Sequence, residues 1–62
     1  MWDQTKIMAA IDSAKSDYGS PVSVVEVSVV SDDLRLVLKS VDGVLLATYL
    51  VALDGELTRL GD

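Results

Sequence analysis

The chain contains no cysteine and no histidine, and these two absences remove a large share of protein chemistry from consideration. Without cysteine there are no disulfides and no thiolate metal sites. Without histidine there is no imidazole ligand and no side chain whose ordinary pKa places a general base near neutrality. The four glycines stand singly, so no glycine-rich loop is available to cradle a phosphate. Aromatic residues are scarce: Trp2, Tyr18 and Tyr49 are the full set. Basic residues are scarce too, five against ten acids, for a net charge of −5. That balance argues against a nucleic-acid backbone, which is neutralised by clustered Lys and Arg. It also gives no attraction to anionic lipid.

Long apolar runs are missing as well. The longest, Val44 to Leu53, is interrupted by Thr48 and Tyr49 and falls short of the ~20 residues that cross a bilayer. The opening residues Met1-Trp2-Asp3-Gln4-Thr5 carry neither the basic stretch nor the apolar core of a signal peptide. The expectations are a cytoplasmic location, no membrane, and no cofactor, metal or small-molecule ligand.

Sixty-two residues are read as one small domain, 1–62. A chain this short buries only about 60% of the surface its unfolded form exposes. The stabilisation available from its core therefore barely offsets the entropy of ordering it. With disulfides and metals excluded, dense packing or association remains. Half of the residues are hydrophobic, which suits both.

A helix is expected over residues 3–18. Asp3 is a good N-cap, and Trp2 stands five residues before Ile7, the spacing of a hydrophobic staple. Ile7, Ala10, Ile11, Ala14 and Tyr18 recur at helical spacing and form the core-facing stripe. Gly19 and Pro21 then stop the helix.

Four strands follow. Val22–Val30 holds six valines in nine residues, with no glycine or proline, and β-branched crowding favours the extended chain. Asp32-Asp33 separates it from Leu34–Ser40. Asp42-Gly43 and Asp54-Gly55 then mark off Val44–Leu53 and Glu56–Leu60. Asp-Gly between apolar runs signals a hairpin, read here as a type I′ turn. The fold class is α+β: an N-terminal helix on a four-stranded antiparallel meander, α-β-β-β-β, in two layers. This order resembles small modules such as PepSY-type and cystatin-like domains in layout, a likeness that carries no activity with it.

With two-residue turns throughout, Val27 falls opposite Leu38, Val29 opposite Leu36, and Glu26 opposite Lys39 as an ion pair. Leu38, Leu36 and Leu34 fall opposite Ala47, Tyr49 and Val51. One face is then apolar throughout (Val25, Val27, Val29, Leu34, Leu36, Leu38, Ala47, Tyr49 and Val51), and the helix is placed on it. The other face takes Glu26, Ser28, Arg35, Lys39, Thr48 and Arg59, together with Val22, Val24, Val30, Val37, Val41, Val44, Leu46, Leu50, Ala52 and Leu57. A solvated face rarely needs so many apolar residues.

No constellation for catalysis emerges, and the chain is read as no enzyme. Asp32, Asp33, Asp42 and Asp54 sit where aspartate is favoured for local turn hydrogen bonds. Lys39 and Ser40 are neighbours on a strand, so their side chains point to opposite faces. A long apolar edge strand, in contrast, offers unpaired N–H and C=O groups to any other chain. The functional expectation is a small interaction module that self-associates as a homodimer, through edge strand 22–30 or through the sheet's back face. The surface expected to do so comprises Val22, Val24, Glu26, Ser28, Val30, Val37, Leu46 and Leu50. The alternative is a small acidic inhibitor, of phage or mobile-element type, that binds a host protein by strand addition.

Overall fold

A computed structural model describes residues 1–61. Helix α1 (Gln4–Tyr18) precedes strands β1 (Val24–Val30), β2 (Asp33–Lys39), β3 (Leu45–Val51) and β4 (Leu57–Leu60). The strands form one antiparallel sheet in the order β1-β2-β3-β4, so the fold is the expected two-layer α+β meander.

Both ends of α1 follow from its sequence. Asp3 stays extended and its Oδ1 accepts the Lys6 N–H at 2.8 Å, satisfying one donor that the first turn leaves free. Gly19 adopts φ 80 and donates its N–H to the Lys15 carbonyl at 3.0 Å, a left-handed cap that favours glycine. Trp2 and Ile7 both pack against the core, as a staple should. The Trp2 indole does more: Nε1–H donates to the Asp32 carbonyl at 2.8 Å, tying the helix start to the β1–β2 turn.

The core is Ala10 and Ala14 from α1, Leu34, Leu36 and Leu38 from β2, and Ala47, Tyr49 and Val51 from β3. Two alanines on the buried stripe let the helix backbone approach the sheet closely. Each fully buried leucine contributes about 1.5–3 kcal/mol of transfer free energy. None of the fully buried residues comes from β1 or β4.

Several pairings differ from expectation. The first turn is centred on Ser31-Asp32, not Asp32-Asp33, because Ser31 takes φ 57 and Asp33 already pairs with Val30. A positive φ at the first central residue alone is the type II′ pattern. Val27 therefore lies opposite Leu36 and Val29 opposite Leu34, a shift of two residues. An even shift keeps every side chain on its expected face. Glu26 lies opposite Val37, not Lys39, yet the ion pair forms diagonally, with Lys39 Nζ 2.8 Å from Glu26 Oε2.

Neither Asp-Gly turn is type I′, since Asp42 and Asp54 keep negative φ. Each is a three-residue loop with its glycine left-handed. Gly43 N–H donates to the Ser40 carbonyl and Ser40 N–H to that of Val44; Gly55 with Ala52 and Ala52 with Glu56 repeat the pattern. Gly43 and Gly55 hold φ 83 and 95, the conformation that ends such loops. A bulge at Leu38/Lys39 absorbs the extra residue of the first loop, so β2 and β3 pair as expected, whereas the second loop shifts β4 by one residue. Leu57 and Arg59 consequently lie opposite Val51 and Tyr49 on the helix side, not on the back face. Val22 lies ahead of β1 and is half-buried against the core.

Candidate interaction surface

One helix cannot cover four strands. A helix is about 10 Å wide with side chains and strands lie about 4.8 Å apart, so α1 covers roughly two of them. It packs on β2 and β3. Lys6, Ala9 and Ser13 line a cleft against Val51, Leu53 and the β3–β4 turn. Ile7 and Ile11, on the other side of the Ala10–Ala14 line, are half-buried against the core.

This placement leaves β1 open on both faces. Val27 and Val29, read from the sequence as core beneath the helix, are 41% and 58% exposed. On the back face Val24 and Val30 are 41% and 48% exposed. Only Val25 of this strand packs against the core. On the helix side Val25, Val27 and Val29 thus form an apolar strip that α1 leaves partly uncovered.

The backbone of β1 adds direction. Val30 and Asp33 flank the two-residue turn, and the closing pair of such a hairpin is hydrogen-bonded. Alternation along the strand then points the N–H and C=O of Val24, Glu26, Ser28 and Val30 toward β2. Those of Val25, Val27 and Val29 point outward. The only charge on β1, Glu26, is held against Lys39, so the edge carries no net charge although the chain is strongly acidic.

The remaining expected surface residues scatter over the back face. Glu26 and Ser28 are exposed, while Val37, Leu46 and Leu50 are half-buried along β2 and β3. Val37 lies opposite Thr48, and Leu50 opposite Arg35 and Thr58. The structure thus brings Val24, Glu26, Ser28 and Val30 together on one edge and leaves Val22 out. The missed residues are Val27 and Val29. Their signal was the single helix, too narrow for the sheet the turns implied.

Opposite the open edge, the helix end is locked by polar contacts. Tyr49 is fully buried and its Oη donates to Asp17 Oδ2 at 2.9 Å. Burial, the hydrogen bond and the Asp17 charge hold the Tyr49 hydroxyl above its ordinary pKa of 10.0, against the opposing pull of Arg59. The Arg59 guanidinium lies 5.6 Å from the Tyr18 ring centre and 6.0 Å from that of Tyr49, within cation–π range. Lys39 and Ser40 are engaged separately, Lys39 with Glu26 and the Ser40 Oγ accepting the Val44 N–H at 3.1 Å. Among the described residues no group of three or more acidic side chains could hold a metal ion, and no helix is long and apolar enough to cross a membrane. Comparison with protein families, curated proteins and solved structures finds nothing that matches this chain.

Proposed function

We propose that this chain is a non-enzymatic interaction module that self-associates, β1 pairing antiparallel with β1 of a second copy. Two four-stranded sheets then become one of eight strands. The exposure of Val27 and Val29 on the helix side carries the reading, because pairing at this edge places those valines beside their counterparts while satisfying the outward backbone groups. A two-fold axis normal to the sheet puts both helices on one side, flanking the valine strip. Head-to-tail pairing of β1 with β4 would leave open ends, and β4 offers four residues against seven in β1. A two-fold pair closes.

Sedimentation at micromolar concentration tests this reading. The expected mass is twice the 6.6 kDa of the chain, and a wild-type monomer overturns it. Val27→Pro removes an N–H that points away from β2, a position where an edge strand tolerates proline. This variant should remain folded by circular dichroism and sediment as a monomer. Val27→Lys, a charge placed on the same strip, should do the same. Ser28→Pro removes an N–H that points toward β2 and should damage the fold itself. Folded Val27→Pro and Val27→Lys chains that both remain dimeric would move the interface to the back face.

A further inference from the structure

We infer that the second copy docks in one register, with the two-fold axis through Val27 and Glu26 of each chain facing Ser28 of the other. The inference rests on the edge pairing proposed above and names the residue that selects among its possible alignments. Val25, Val27 and Val29 present the outward backbone groups, so hydrogen bonds between two copies must join these positions to one another. Three alignments keep substantial overlap. They place Val27 opposite Val27, Val25 opposite Val27, or Val27 opposite Val29.

In the second alignment Glu26 meets Glu26. Positions between the hydrogen-bonded pairs are the close ones, about 4.5 Å between Cα atoms, and like charges directly opposite are destabilising. Lys39 holds each Glu26 within its own chain in any alignment, but two facing carboxylates both accept and neither donates to the other. In the third alignment Glu26 meets Val30, which sets a carboxylate against an apolar side chain. Val25 there meets Ser31, whose φ of 57 has already turned the chain away from the sheet.

The first alignment has neither defect. All seven residues of β1 pair: Val24 with Val30, Val25 with Val29, Glu26 with Ser28, and Val27 with itself. Each Glu26 carboxylate faces a hydroxyl that can donate to it, while Lys39 holds that carboxylate at 2.8 Å in its own chain. On the helix side the valines of both copies form one continuous strip. Glu26 is therefore the register-setting residue of an otherwise uniform valine edge, the kind of flat strand whose pairing slips without such a device.

The absence of native cysteine gives a clean test. Val24→Cys, Ser28→Cys and Val30→Cys chains, all of which keep Glu26, carry tags of different length; they are mixed and oxidised gently, and the disulfides are resolved by mass. The expected result is a Val24→Cys/Val30→Cys product in several-fold excess over every other product. Predominance of Val24→Cys/Ser28→Cys, the second alignment, or of self-linked Ser28→Cys, the third, overturns the register while leaving edge pairing intact. No cross-link in any combination, from chains that sediment as dimers, overturns the register and edge pairing together. Monomeric wild-type chain overturns self-association altogether.

Discussion

The Tyr49 hydroxyl reaches Asp17 Oδ2 at 2.9 Å from a ring with no exposed surface, joining the centre of β3 to the last turn of α1. Its environment favours the protonated phenol, so its pKa in the folded chain lies above 10.0. A pKa raised by folding contributes stability that is complete below the unfolded value and is lost as pH rises through the folded one. Stability should therefore decline above pH 10. In a Tyr18→Phe chain, where Tyr49 is the only tyrosine, absorbance titration should give a midpoint above 10.0. A midpoint at or below 10.0 would contradict the hydrogen-bonded geometry. Tyr49→Phe should cost about 1 kcal/mol at neutral pH and weaken the alkaline decline.

Trp2 ties the helix start to the β1–β2 turn through Nε1–H and the Asp32 carbonyl. Trp2→Phe keeps an apolar ring over the helix but removes the donor. The expected loss is about 1 kcal/mol in a urea titration followed by circular dichroism. No measurable change would mean that the indole contributes packing alone.

Gly43 and Gly55 hold φ 83 and 95, and a Cβ added at either would meet nothing within 4 Å. Alanine there is penalised by backbone conformation alone. Gly43→Ala and Gly55→Ala should each lower stability by about 1 kcal/mol. Asparagine, which tolerates the left-handed region better, should cost less at both positions. Equal losses from the two substitutions would show that something other than φ decides.

Ala14 has no exposed surface and lies where α1 meets the sheet. Ala14→Leu adds volume that the close approach cannot hold and should destabilise by about 1–3 kcal/mol. Thr5, exposed on the outer side of the helix, serves as the control. Thr5→Leu should leave the urea midpoint nearly unchanged.

Lys39 pairs with Glu26 at 2.8 Å, with both side chains partly open to water. Such a pair contributes little to folding, about 0–1 kcal/mol. Lys39→Gln should accordingly leave the urea midpoint nearly in place. It should weaken self-association several-fold, because the edge then carries an uncompensated carboxylate. The dimer dissociation constant from sedimentation reads the second effect separately from the first.

Much of the fold was legible in order and type. The cap at Asp3, the stop at Gly19 and the stripe from Ile7 to Tyr18 are local chemistry, and the helix occupies the expected place. Strand order followed from short connections. Turn centres were harder to read. Ser31, an ordinary polar residue, takes a positive φ that the neighbouring Asp32-Asp33 pair obscured. The Asp-Gly signals located both later hairpins but not their three-residue loops, and that one-residue difference moved Leu57 and Arg59 to the helix side.

For the candidate surface the division is similar. The sequence alone determined that Val22–Val30 holds a β-branched strand, that it precedes a meander and so lies at an edge, and that its one charge is Glu26. Alternation also placed Val27 and Val29 on the helix side. Whether that side was covered depended on where a helix about 10 Å wide comes to rest on the sheet. Ala10 and Ala14 seat α1 over β2 and β3, leaving part of the β1 valine excess exposed. Periodicity specifies the direction of a side chain, because it is a property of one element. Burial depends on a second element, and only the tertiary structure fixes its position.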